Sequence, residues 1–414
     1  MPSTDTTALR DALARIRPET IDAHLRFLAH PLLEGRAPGT RGGTLAMEYI
    51  RGQFQRISLQ APGGSYLQEV PMVGLTPRPT LAFVTPQGPV EPRYEDDYVL
   101  EAGVPETSVD VDAELVFAGF GITAPEWSWD DFKDADLRGK VLLVRVNDPG
   151  TESTPDFFGG RTLTYYGRWT YKFEEASRRG AAGAILVHTD ESAGYPWRVV
   201  RTSNTGQQFD LAGTPEFPLR IKGWISESVA RDLLARAGQD YASLMAQSET
   251  PGFRPLATGI RVRASVRSEV EPVRTANVVG LLPGGDPARA REPVILSSHY
   301  DHLGVRTAAD GTRSIHPGAY DNASGVALLL TIAEAVARME APPLRPLLFV
   351  STTAEESGLL GAEWYARNPL FPLATTAAAL NVDGANLQGR TRDLTPLGAD
   401  RSTLGDTVRA AAAE

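Results

Sequence analysis

The chain has 414 residues, a formal net charge of −10 and no cysteine. That length predicts two or three domains, and the acidic balance argues against a nucleic-acid footprint, which is basic and clustered. Disulfides, thiolate chemistry and cysteine-based zinc sites are excluded, and no apolar run approaches the length of a transmembrane helix.

Residues 1–30 lack the apolar core of a signal peptide, as a mature secreted chain also would. The run Gly35-Arg36-Ala37-Pro38-Gly39-Thr40-Arg41-Gly42-Gly43 reads as a turn that enters a helix. It lacks the Gly-Lys-Ser/Thr signature of a phosphate loop. Leu45, Tyr49, Ile50, Phe54 and Ile57 recur at spacings of three and four, which predicts a helix with one apolar face. Residues 66–84 read as extended, followed by a connection through Pro86, Pro89 and Pro92.

A β-rich section begins near Ala113. Residues 139–146 and 180–188 read as short buried strands, with a helix over 171–179 between them. A helix over 227–237 and an extended segment over 260–266 follow. Residues 111–261 are thus expected to form a separate β-rich α/β unit. Its aromatic residues Trp127, Trp129, Tyr165, Tyr166, Trp169 and Tyr171 suit a core or domain interface better than a substrate entrance.

The third section alternates strands over 275–282, 293–299, 347–352 and 378–382 with helices over 324–339 and 361–367. Alternation of this kind predicts a largely parallel sheet covered by helices. Ligands of such sheets collect at the carboxyl ends of the strands. Three acidic or imidazole-bearing segments fall there: Ser298-His299-Tyr300-Asp301-His302, Thr353-Ala354-Glu355-Glu356 and Asn381-Val382-Asp383-Gly384. A fourth, Tyr320-Asp321-Asn322-Ala323-Ser324-Gly325, opens the 324–339 helix.

Together these segments supply an imidazole and several carboxylates, the ligands that suit Zn²⁺ or a similar ion. A two-metal hydrolase needs a carboxylate bridging ions about 3.5–4 Å apart, with terminal ligands on each. Asp321 is the candidate bridge, because its tight loop aims one side chain before a helix begins. His299 and Asp383 would complete one metal, and Glu356 would join Asp321 on the other. Asp301, two residues past His299, could receive the imidazole N–H. Glu355 and Glu356 are adjacent and diverge, so one could coordinate while the other faces the water.

Residues 1–110 and 262–414 resemble the di-zinc exopeptidases of the bacterial leucyl aminopeptidase and glutamate carboxypeptidase group. The motifs are His299-Tyr300-Asp301, Gly318-Ala319-Tyr320-Asp321-Asn322-Ala323-Ser324-Gly325, Ala354-Glu355-Glu356-Ser357-Gly358 and Asn381-Val382-Asp383. Residues 111–261 resemble the protease-associated (PA) domain inserted in many members. They do so at Gly119-Phe120-Gly121-Ile122, Gly139-Lys140-Val141 and Arg179-Gly180-Ala181-Ala182-Gly183-Ala184.

The resemblance implies a mostly parallel mixed α/β sheet flanked by helices, with a β-rich PA domain inserted. It implies two Zn²⁺ ions, bridged by Asp321 with a cis peptide bond after it. His299 and Asp383 would hold one ion and Glu356 the other. Glu355 would be the general base, with Asp301 in catalytic support. The implied activity is that of an aminopeptidase, removing N-terminal residues from peptides through a zinc-activated water. A secreted or periplasmic location would go with it, and a cytoplasmic one stays open; no nucleic-acid or membrane partner is expected.

One departure stands out. The family carries a further His ligand downstream of the Asp383 position. The histidines here are His24, His30, His188, His299, His302 and His316, none of them downstream. The expectation is therefore a C-terminally incomplete peptidase domain whose second zinc is weakly held and whose activity is impaired. His302 and His316 are less favoured substitutes. The alternatives are a non-catalytic binding module on the same fold, or carboxypeptidase or aminoacylase specificity.

Overall fold

The apolar runs of the third section pair side by side in a computed structural model of the chain. Val294–His299 lies parallel to Leu347–Thr352 on one side and to Ala378–Asn381 on the other. Residues 278–282, at the end of the strand Leu256–Leu282, run antiparallel to Leu347–Thr352. The structure describes residues 6–160, 162–213, 215–307, 311–384, 386, 389, 396–399 and 402–413. The chain divides into two units, 1–72 with 273–414, and 73–272.

Alternation along these strands sends side chains to opposite faces. On one face Val278 and Phe349 join Leu28, Ile50 and Phe54 and the buried residues Val326, Leu329 and Leu330 of the helix Ser324–Ala337. On the other, Val279, Ile295, Leu348 and Val350 pack with Tyr365 of the helix Leu360–Arg367. Each fully buried Leu, Val or Phe contributes about 1.5–3 kcal/mol relative to exposure. These two layers hold the strand ends, and hence the loops after them, in fixed register.

The helix expected after the glycine-rich run spans Arg41–Arg56. Thr40 caps it by accepting the Gly43 N–H at 3.1 Å. Ala46, Ile50 and Phe54 form its buried stripe. Pro18–Leu28 is a second helix, entered at a proline that pre-sets the first turn.

In the unit 73–272, Ser108–Phe117, Val141–Arg145, Gly183–His188 and Ile221–Ser226 pair in parallel in that order. Tyr98–Ala102 adds antiparallel beyond Ile221–Ser226, and residues 256–267 add antiparallel beside Ser108–Phe117. Helix Glu227–Arg236 covers one face through Leu233 and Leu234. Helix Trp169–Arg178 covers the other through Phe173 and Ala176. Of the aromatic residues, Trp129 and Tyr171 are core, with Trp127 and Tyr166 packed on them. Tyr165 and Trp169 are exposed. Both units are mixed α/β, with largely parallel strands flanked by helices. Among the described residues, no helix is long and apolar enough to cross a membrane.

Candidate metal centre

His299 is the last residue of its strand and is 2% exposed. Glu355 and Glu356 occupy the loop between Leu347–Thr352 and Leu360–Arg367, and Asp383 the loop after Ala378–Asn381. All three loops leave the carboxyl ends of mutually parallel strands. Asp321 comes to the same place from the turn that precedes Ser324–Ala337, and the Asp321–Asn322 peptide bond is cis. The segments that the sequence analysis joined are thus one cluster.

His299 Nε2 lies 3.1 Å from Asp321 Oδ1, 3.2 Å from Asp383 Oδ1 and 3.8 Å from Glu355 Oε2. A second group forms beside it from His302, Asp321 and Glu356, with the His302 Nδ1 in hydrogen-bond contact with the Glu356 carboxylate. Within each group, His299–Glu355–Asp383 and His302–Asp321–Glu356, one ligand atom per residue lies within 4.8 Å of the others. Asp321 touches both groups. His316 belongs to neither.

The loops are tied to one another by buried polar side chains. Asp301 is fully buried and accepts the backbone N–H groups of Glu355 at 3.1 Å and Glu356 at 3.4 Å. Its Oδ1 is 3.7 Å from His299 Nδ1, beyond hydrogen-bond length. Asn322, also fully buried, brackets Asp383: its amide donates to the Val382 carbonyl at 2.9 Å, and its oxygen accepts the Gly384 N–H at 3.0 Å. Arg36 donates to carbonyls on both sides of the cluster, those of Tyr300 at 2.7 Å and Gly318 at 2.8 Å. Gly318 has no room for a side chain, since a Cβ would fall 2.4 Å from the Asp321 carbonyl oxygen and 2.6 Å from the His302 ring.

The cluster is strongly acidic around one buried imidazole. Burial alone would lower the His299 pKa, but Asp301, Asp321 and Glu355 raise it to about 11. Burial raises Glu355 to about 7, with His299 opposing and the surrounding carboxylates adding to the rise. Contact with His299 holds Asp321 below the usual carboxylate range. A field that holds a proton on a buried imidazole so firmly also favours a metal ion in its place.

The residues fit zinc by a second criterion. Asp321 Oδ1 is buried and, although close to His299 Nε2, has no hydrogen-bond partner among the described residues. Such an orphaned oxygen beside imidazole nitrogens is satisfied by a bridging cation.

Two site residues carried little signal in the sequence. His302 stands three positions past His299, and only the turn of the chain after Asp301 brings it to Glu356. Arg36 sits in the glycine-rich run that reads as a simple turn.

The family model described as Peptidase family M28 matches residues 277–414. Aminopeptidase NAALADL1 of Mus musculus is 30% identical over 314 residues, which are 64% of this chain and 38% of that protein. A protein of Pyricularia oryzae named "Probable zinc metalloprotease" is 31% identical over 159 residues, 37% of this chain and 28% of that protein. The chain thus spans 38% and 28% of the length of these two curated relatives. A solved aminopeptidase from Aneurinibacillus sp. strain AM-1 aligns over 91% of this chain and 72% of its own, at 22% identity and a TM-score of 0.44. Residues 277–414, the stretch that matches the model of Peptidase family M28, hold every residue of the two groups.

Proposed function

We propose that the chain carries the two-zinc centre of an aminopeptidase, with the cluster His299–Glu355–Asp383 and His302–Asp321–Glu356 as the observation that carries the reading. His299 and Asp383 hold one ion. Glu356 and His302 would hold the other, with Asp321 close to both groups. Zinc, when bound, polarises a peptide carbonyl and lowers the pKa of water toward neutrality. The chain's own residues do the rest of the chemistry.

Glu355 is the general base. Its side chain is 27% exposed and lies 3.8 Å from the His299 ring. Burial raises its pKa to about 7 in the metal-free chain, and a carboxylate beside the water can carry a proton in both directions. It takes a proton from the attacking water and returns it to the leaving amine. Asp301 positions it by holding its backbone N–H. Asp321 and Asp383 are about half exposed, at 46% and 48%, so the cluster opens to solvent.

An impaired second zinc position was expected for want of an imidazole, and His302 supplies one. The same reading makes residues 111–261, within the unit 73–272, an inserted PA domain. The test measures zinc per chain and the release of amino acids from aminoacyl anilides and from N-acetylated peptides. Zinc near two per chain with release only from free amino termini is expected. A folded protein that binds no zinc sinks the reading. Bound zinc without any release would favour a binding module, and release from blocked peptides a carboxypeptidase.

A further inference from the structure

The cluster is assembled from four loops, and two of the ties between them belong to the loops themselves. Asp301 joins the His299 loop to the Glu355 loop, and Asn322 joins the Asp321 loop to the Asp383 loop. The tie from the His299 loop to the Asp321 loop comes from elsewhere in the chain. Arg36 Nε donates to the Tyr300 carbonyl at 2.7 Å, beside Asp301. Its Nη1 donates to the Pro317 carbonyl at 2.6 Å and its Nη2 to the Gly318 carbonyl at 2.8 Å, on the approach to Asp321. Nη1 also donates to the Leu28 carbonyl at 2.6 Å, the last residue of the helix Pro18–Leu28, where the helix dipole favours a cation.

We propose that Arg36 is a positioning residue of the metal centre, whose guanidinium fork sets the distance between the His299–Asp301–His302 loop and the Asp321 loop and so the spacing of the two ligand groups. The inference rests on the two-zinc reading of the site.

Three observations beyond the hydrogen bonds support it. Arg36 is fully buried, which a cation tolerates only when its donors are paired. Its backbone is in the left-handed region at φ 56°, a strained conformation for a residue with a side chain. The preceding Gly35, at φ 71°, lies so close to the chain that a Cβ would meet the His316 carbonyl oxygen at 2.3 Å. The fold accepts crowding and strain to bring this guanidinium behind the ligands. Burial lowers the Arg36 pKa to about 10, with Asp301, Asp321 and Glu356 opposing, so it stays cationic at neutral pH.

A planar fork with donors in fixed directions differs from an ammonium, which supplies the same charge at one point. Arg36→Lys therefore separates charge from spacing, and Arg36→Met removes both. Cobalt affinity and the cobalt absorption spectrum would be measured for wild type and both variants. Thermal unfolding of the metal-free forms and their histidine-ring nitrogen NMR spectra would be recorded in parallel. Both variants should bind cobalt roughly 10- to 100-fold more weakly, with an altered absorption band. Their metal-free spectra should show the His302–Glu356 hydrogen bond weakened.

If Arg36→Met does not fold, Arg36→Lys decides alone. The inference falls if Arg36→Lys keeps wild-type cobalt affinity and absorption, even with a lower melting temperature, because the residue is then only a brace. Should the wild type bind no metal, the two-zinc reading fails by itself. The ring spectra then decide: unchanged His299 and His302 signals in Arg36→Lys overturn the inference, and shifted signals uphold it.

Discussion

The carboxylate of Asp301 accepts the backbone N–H of Glu355 at 3.1 Å, across the gap between two neighbouring strand ends. The acceptor follows His299 and the donor is the candidate base, so one hydrogen bond links the His299 loop to the Glu355 loop. The Glu356 N–H reaches the same carboxylate at 3.4 Å. Asp301→Ala leaves both N–H groups without this partner, at a cost of about 1–3 kcal/mol for each that stays dry. Asp301→Asn keeps one acceptor oxygen and should lose about half as much. Urea unfolding of the metal-free forms gives these differences. A variant as stable as wild type would show that water replaces the carboxylate.

Metal uptake should release protons. Without metal, His299 holds its proton until pH is well above neutral, since its pKa is raised to about 11. Ligation requires the neutral imidazole, so that proton must leave. Glu355, with a pKa near 7, is part-protonated at pH 7 and adds to the release. Zinc titration calorimetry in buffers of different ionisation enthalpy should report about one proton or more per chain at pH 7. Heats that do not depend on buffer would mean that His299 is not a ligand.

The ligand strands could be read from the sequence because Val294–His299 and Leu347–Thr352 are apolar runs that stop at polar loops. Their parallel pairing then places His299, Glu355 and Asp383 together. His302 was less legible, because its meeting with Glu356 depends on the path of a loop, and no periodicity describes that path. Arg36 was hidden for a related reason: its partners are carbonyl oxygens, which every residue has. The segments 260–266 and 275–282, read as separate, belong to one strand, Leu256–Leu282. Between them Ser268 takes an inward position and Pro272 shifts the alternation, although the backbone stays extended.

Glu355→Gln should change the pH dependence of stability in the metal-free protein. The Glu355 carboxyl has a folded pKa of about 7 against an ordinary 4.5. Its stabilising contribution is therefore fully present below pH 4.5 and is lost as pH rises through about 7. Gln stays neutral throughout. The variant should melt with wild type at pH 4 and above it at pH 8, while peptide hydrolysis by the zinc form is abolished. Equal melting temperatures at pH 8 would place Glu355 in a solvated position instead.

The sheet-facing side of Ser324–Ala337 holds the Asp321 turn against the strands, so packing there should matter to the site. Leu330 is 2% exposed among Phe54, Phe349 and Val326. Leu330→Ala should cost about 2–5 kcal/mol through lost burial and the cavity left behind. Leu32 is 77% exposed, and Leu32→Ala should stay within about 0.5 kcal/mol of wild type. Denaturant midpoints of the two variants compare directly. A small loss for Leu330→Ala would mean that the helix can settle into the space.

His302→Asn and His316→Asn should separate ligand from bystander. His302 shares a ligand group with Asp321 and Glu356, whereas His316 stands outside both groups. His302→Asn takes away the imidazole of its group and leaves, among the described residues, two carboxylates, too few to hold zinc against water in a partly open site. The other group keeps His299 and Asp383, with Asp321 still 3.1 Å from the His299 ring. Zinc measured after dialysis should thus fall from about two per chain to about one in His302→Asn, and stay at about two in His316→Asn. Two zinc ions retained by His302→Asn would show that the second position draws its imidazole from another source, and that His302 serves only to orient the Glu356 carboxylate.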